Sequence, residues 1–169
     1  LDEGNIYEAL QEGWKNGLRN CWWIIDYNRQ SLDGVVREGL FKRVEQIFEA
    51  FGWDVVRVKY GYLQRAAFDE TGGDKLRQWI DDCPNQLYSA LTFMGGAVWR
   101  ERLMDALGDQ GDVTALIERR SDAELAELME NLGGNCVQTM ADTFASIDRD
   151  RPVCFLAYTI KGWGTPIAG

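Results

Sequence analysis

Histidine is missing altogether from these 169 residues. Its absence removes Ser-His-Asp and Cys-His catalysis and the His-containing zinc sites. Any chemistry must come from carboxylates, amides, lysines, a bound cofactor or residues outside the chain. Proline is scarce, at three, and there is no Pro-rich linker, internal repeat or low-complexity tract, which points to one compact unit. No stretch approaches the roughly 18 consecutive apolar residues that a membrane-spanning helix needs. The longest, Val153 to Ile160, is interrupted by Tyr158 and Thr159 and reads as a buried strand. No signal or transit peptide is visible, although Leu1 need not be the natural start.

Positive charge is also in short supply. Lys and Arg number 18 against 27 Asp and Glu, for a net charge of −9. A nucleic-acid partner needs a basic face, so none is expected. An anionic ligand must be held locally, by a metal or by backbone N–H groups. The four cysteines, Cys21, Cys83, Cys136 and Cys154, form no C-x-x-C pair. Their apolar or helical flanks suit buried or half-buried free thiols in a reducing compartment, with one disulfide pair as the alternative.

Three segments read as strands. Cys21 to Tyr27 and Val153 to Ile160 are apolar without alternation, the pattern of strands buried on both faces. Asp54 to Tyr60 alternates more and is expected nearer an edge. Amphipathic helices lie between them. Ile6, Leu10 and Trp14 share one face of the first, which Gly17 could terminate; Val36, Leu40, Val44, Ile47 and Phe51 line the second, capped by Gly52. Leu87, Leu91, Met94 and Val98 mark a third, weakened by Gly95-Gly96. Ser121 to Glu124 form a capping box ahead of Leu125, Leu128, Met129 and Leu132, closed by Gly133, and a last helix carries Val137, Met140, Phe144 and Ile147. Strands alternating with helices predict an α/β fold: a mostly parallel sheet with helices on both faces. The stretch from about 61 to 134 adds helices without a strand and reads as a helical excursion. The seven tryptophans are expected in the core, Trp22 and Trp23 above all, and Glu118-Arg119-Arg120 as a solvated helix end.

In an open parallel sheet, ligands bind outside the carboxyl ends of strands. The first strand runs into Asn28-Arg29-Gln30, where Asn28 and Gln30 would share a face if the segment were extended. Amide and carbonyl oxygens are hard, neutral ligands that suit magnesium when a diphosphate supplies the negative charge. A polar strand-to-helix turn, with Asp33-Gly34 as its turn residues, accounts for the same letters. The last strand runs into Lys161, Gly162 and Gly164, a cation in a bendable loop that can approach a phosphate, or an ordinary glycine-rich loop with a solvated lysine. The acidic start at Asp2 and Glu3 reads as helix capping.

In this order the segments resemble the transketolase-like thiamine-diphosphate enzymes, and among them the homodimeric bacterial pyruvate dehydrogenase family (decarboxylating component). The likeness rests on Asn28-Arg29-Gln30-Ser31-Leu32-Asp33-Gly34, on Ile47-Phe48-Glu49-Ala50-Phe51-Gly52-Trp53, on Val98-Trp99-Arg100-Glu101, on Leu132-Gly133-Gly134 and on Tyr158-Thr159-Ile160-Lys161-Gly162-Trp163-Gly164. It spans essentially the whole chain. It implies that residues 1–169 are a partial diphosphate-binding domain, an internal fragment inactive alone, from a cytoplasmic enzyme that decarboxylates a 2-oxo acid such as pyruvate and passes the acyl group to a lipoyl domain. The implied cofactors are thiamine diphosphate and Mg2+, with Asn28 ligating the metal by its side chain, Gln30 by its backbone carbonyl, and Lys161 near the diphosphate or the substrate carboxylate. Glu3 matches an acidic position lining the passage between paired active sites, but its neighbour in that pattern is Asn5 where a carboxylate is expected, which weakens a proton-relay role. The family's metal-binding Asp would precede Leu1, its histidine would follow Gly169, and its activating glutamate lies in another domain. Implied partners are the remaining domains of the polypeptide, a homodimer mate and a lipoyl-bearing acyltransferase. Transketolase, which moves a two-carbon ketol unit between sugars, and a non-catalytic α/β interaction module are the alternatives.

Overall fold

The structure, a computed structural model, describes residues 4–31, 34–147 and 150–169. In chain order these form α1 (Gly4–Lys15), β1 (Trp22–Tyr27), β2 (Gln30–Ser31), β3 (Gly34–Val35), α2 (Leu40–Ala50) and β4 (Asp54–Val58). A helical run follows: α3 (Tyr62–Phe68), α4 (Gly73–Asp82), α5 (Asn85–Met94), α6 (Gly96–Leu107), α7 (Asp112–Glu118), α8 (Asp122–Glu130) and a 3-10 turn at Gly133–Asn135. Helix α9 (Val137–Ala145) and β5 (Val153–Tyr158) complete the described elements.

The sheet is parallel in the order β1-β5-β4, so the last strand lies between the first two. Every residue of β5 is buried, as its unbroken apolar run predicts. Alternate side chains of β5 feed two cores. Val153 and Phe155 join Val58 under Met140 and Phe144 of α9, whereas Cys154, Leu156 and Tyr158 face the larger core that holds Val44 and Phe48 of α2. Helices therefore cover both faces, and β4 sits at an edge as its alternation suggests.

The strand β1 departs from expectation. Its burial alternates, with Trp22 37% and Ile24 52% exposed, because α9 covers that face only at Trp22, which stacks on Phe144 at 5.2 Å. Apolar letters alone could not reveal which neighbour covers each one. The same correction applies to other tryptophans: Trp53 and Trp99 are buried, but Trp14 and Trp163 stand exposed. Leu10 is the residue that anchors α1, rather than the whole predicted stripe. Val36 precedes α2, Ile147 follows α9, Val137 is exposed, and α8 ends before Gly133.

The helical run closes on itself where it leaves the sheet. Gly61 N donates to Asn131 O at 2.8 Å, Leu63 N to Asn131 Oδ1 at 2.9 Å, and Gly133 N to Lys59 O at 2.9 Å, so entry and exit are stitched side by side. Inside, Trp99 packs edge-on against Tyr88 and Trp79. The predicted capping box forms, with Ser121 Oγ accepting from Glu124 N at 3.2 Å and the Glu124 carboxylate accepting from Ser121 N at 2.8 Å. Arg119 and Arg120 are not simply solvated: both pair with Glu70, which is brought from α3's far end by the fold.

The predicted weakness at Gly95-Gly96 is a full break between α5 and α6. Gly95 has φ 87, while a Cβ on Gly96 would collide with the Asp122 backbone carbonyl. The two glycines are thus required for different reasons. We expect Gly95→Ala to cost about 1–2 kcal/mol, the price of an extended backbone at positive φ that only glycine adopts readily, and Gly96→Ala about 3 kcal/mol from overlap with a backbone carbonyl. Urea unfolding checks this, and equal losses at both positions would refute the distinction.

Candidate functional site

Parallel pairing of β1 with β5 runs in register from Trp22↔Val153 to Tyr27↔Tyr158, so both strands finish at the same level. Thr159 N extends the ladder to Tyr27 O at 3.3 Å, and the Thr159 hydroxyl donates to the Asp26 carboxylate. Asn28 leaves β1 beside this contact. Its Nδ2 donates to Asp26 Oδ2 at 3.4 Å and its Oδ1 accepts from Gln30 N at 3.0 Å. Arg29 between them has φ 65, the one non-glycine residue with positive φ among those described. The segment is therefore a tight side-chain-stabilised turn and not the extended run that would put Asn28 and Gln30 on one face. The turn wins because the Asn amide substitutes for a backbone acceptor, a habit of Asn in turns.

Gln30 then enters the short antiparallel pair of β2 with β3. Its Nε2 donates to Gly169 O at 3.1 Å, and Gly169 N donates to Lys161 O at 3.0 Å. The loops that follow β1 and β5 are thus tied together through three residues. The β5 loop is further pinned by Ile160 N donating to Asn135 Oδ1 at 3.0 Å. Asn135 reaches it because Gly133 and Gly134 lie against the strand ends: a Cβ on Gly134 would stand 2.6 Å from Thr159 Cγ2 and 2.7 Å from Tyr158 O. Gly162 and Gly164 bend the loop with φ 69 and 81. Asn28, Gln30 and Lys161 are all half-buried. Glu3, with its neighbour Asp2, lies outside the described residues, as do Leu32 and Asp33 of the motif.

A cavity of about 100 Å³ opens at this turn, lined in part by Asp26, Asn28, Arg29, Gln30 and Ser31. Among the described residues no group of three or more His, Cys, Asp or Glu side chains could hold a metal ion. The oxygen donors at this strand end are the Asn28 amide and the Gln30 backbone carbonyl of the turn and the Asp26 carboxylate of β1, which already accepts from Thr159 and Asn28. That set fits a hard divalent cation whose remaining ligands and charge come from a phosphate group, and it does not fit zinc.

One residue that sequence reading passed over stands out. Arg29 is 7% exposed, its guanidinium lies 4.5 Å from the Tyr88 ring centroid, and its Nε has no hydrogen-bond partner. Burial pulls its pKa below the ordinary value, while burial raises those of the surrounding Tyr27, Tyr88 and Tyr158 hydroxyls. The Cys83 thiol in the same lining is pushed up to about 11 by burial. The only hint in the sequence is a long cation placed between two amides. All four cysteines are free, as expected.

No family model matches the chain. Curated relatives do. The pyruvate dehydrogenase E1 component of Corynebacterium glutamicum is 27% identical over 168 residues, covering 97% of this chain and 18% of that protein. The pyruvate dehydrogenase E1 component of Escherichia coli is also 27% identical over 168 residues with the same coverage, and that of Cupriavidus necator is 27% identical over 172 residues, or 99% of this chain. The chain resembles one segment of bacterial pyruvate dehydrogenase E1 components. It spans about 18% of the length of these relatives. Among the described residues no helix is long and apolar enough to cross a membrane.

The Gln30 amide ties the two loops through its side chain. Gln30→Ala removes one hydrogen bond worth about 1 kcal/mol, and we expect tryptic cleavage after Lys161 to quicken about fivefold. Mass spectrometry of timed digests reads this out, and an unchanged rate would show that the tie does not hold the loop.

Proposed function

We propose that residues 1–169 are a partial diphosphate-binding domain, with a helical excursion at about 61–134, of a thiamine-diphosphate-dependent pyruvate dehydrogenase. The observation that carries this reading is the joining of the Asn28–Gln30 turn to the Lys161 loop at the carboxyl ends of two paired parallel strands. The E1 relatives support it. Thiamine diphosphate, when bound, supplies the carbanion chemistry by which a 2-oxo acid loses carbon dioxide.

The chain's own residues bind and orient. Asn28 offers its amide oxygen to Mg2+ and Gln30 its backbone carbonyl, leaving the Gln30 side chain to hold the loops together. Asp26 fixes the Asn28 amide through Nδ2, which leaves the oxygen, already accepting from Gln30 N, as the atom that would be offered to the ion; second contacts of this sort set ligand orientation. Lys161 balances the charge of the diphosphate or of the substrate carboxylate, and Gly162 and Gly164 let its backbone come close. Glu3 is assigned to the passage between paired sites. In the whole enzyme the acyl group passes to a lipoyl-bearing acyltransferase, the other domains and a homodimer mate complete the site, and the setting is cytoplasmic. The isolated chain is expected to be inactive.

Calorimetry on the natural polypeptide that carries these residues tests the assignment. Thiamine diphosphate should bind only with Mg2+, and Asn28→Ala should weaken it by at least about tenfold, near 1.4 kcal/mol. Equal affinity in parent and variant would reject the metal role and favour a non-catalytic module.

A further inference from the structure

A second cleft opens at the same sheet end, and neither Asn28, Gln30 nor Lys161 lines it. Its volume is about 420 Å³, and its walls carry Arg57, Lys59, Arg65 and Arg77 against one carboxylate, Asp81. Phe41, Lys59, Asp81 and Tyr158 also wall an inner cavity of about 50 Å³ that contains the buried Arg29. That volume exceeds the roughly 10–15 Å³ one water needs, so the space beside Arg29 has room for water.

The charges there are not balanced from within. Arg57 is neutralised by Glu45, with Nη2 2.6 Å from Oε2. Lys59 and Arg77 share Asp81, Arg77 at 4.0 Å. Glu38, exposed at the rim of the inner cavity, spends one oxygen on Asn85 N at 2.7 Å. Arg65 and Arg29 form no ion pair among the described residues. A buried guanidinium without an anion is costly, and a chain of net charge −9 has carboxylates to spare elsewhere. Aromatic rings hold the cations in place: Arg57 lies 4.9 Å over Phe41 and Arg77 5.3 Å over Tyr60. Stacking of this kind leaves a guanidinium edge available to donate at Arg77, the geometry that suits phosphate, while Arg57 gives its edge to Glu45.

We propose that this cleft binds a polyphosphate-bearing anion, held by Lys59, Arg65 and Arg77 over the buried charge of Arg29, at a site separate from the Asn28 turn. The ligand is recognised by its phosphate chain, whether inorganic or carried on a nucleotide.

The test is calorimetry of the natural polypeptide with sodium tripolyphosphate in metal-free buffer, where a site built on magnesium is silent. Saturable binding is expected, falling as salt rises and at least tenfold weaker in the double variant Arg65→Gln/Arg77→Gln, while Lys161→Gln, outside this cleft, leaves it unchanged. Arg65 and Arg77 are exposed, so these changes spare the core, and circular dichroism verifies the fold. ATP run in parallel separates sources: tighter binding than tripolyphosphate marks a nucleotide, equal binding the bare chain. No saturable heat, or a loss caused by Lys161→Gln and not by the arginine pair, overturns the proposal. Either result stands apart from whether thiamine diphosphate binds with magnesium.

Discussion

Everything at the carboxyl end of the sheet depends on the in-register pairing of β1 with β5. These strands are more than a hundred residues apart in the chain, yet Tyr27 and Tyr158 end opposite one another. A one-residue slip would turn each side chain of the slipped strand to the other face, moving Asp26 away from Thr159 and exchanging the side chains that face the two cores. Such a slip is opposed because β5 is apolar on both faces while its two cores differ in depth. One is a thin layer of Phe155, Phe144 and Trp22 under α9; the other is the large cluster around Phe48 and the helices. The two loops therefore meet because buried apolar packing fixes the register, and the polar contacts between them refine a position already imposed.

The second constraint is steric. The 3-10 turn lies so close to the strand ends that Gly133 and Gly134 leave no room for a side chain against Val58 and Tyr158. That contact seats Asn135, whose amide oxygen holds Ile160 N. The helical run between β4 and the turn is thereby more than a decoration. Its folded length carries the chain out from Lys59 and returns it at Gly133, beside where it left, so a residue distant in sequence braces the loop of Lys161. Trp99 and Leu125 at the centre of that run support the site through this return.

Much of the architecture is legible in the letters. The β5 run, the capping box at Ser121, the helix break at Gly95-Gly96 and the parallel layering all follow from local chemistry and hydrophobic period. Errors arise where the answer depends on something the local pattern does not hold. Trp22 and Ile24 are as apolar as β5, yet their exposure is set by which helix reaches them. Arg120 is half-buried and pairs with a residue fifty positions earlier. The β2–β3 pair, two residues a strand, is too short to show a period, and so the Asn28 turn looked extended. At the candidate site the residue types were readable but their geometry was not: Asn28 and Gln30 do not share a strand face, and the left-handed Arg29 between them turns one amide toward Asp26 and the other toward Gly169.

Arg29 connects these observations. A left-handed backbone at a long, charged residue costs on the order of 1–2 kcal/mol, and burying its guanidinium costs more. Both penalties fall on one position, between two residues whose amides do structural service. The turn places Asn28 toward the cavity beside Asp26 and at the same time drives the intervening side chain inward under Tyr88. Glycine would satisfy the turn and remove the desolvation penalty, so the turn alone does not account for the cation. Its charge lies in the cavity that Lys59 and Tyr158 also wall, in a protein of net charge −9. One turn thus divides the sheet end into two chemically different pockets: neutral and anionic oxygens on the side of β1, and stacked cations on the side of β4.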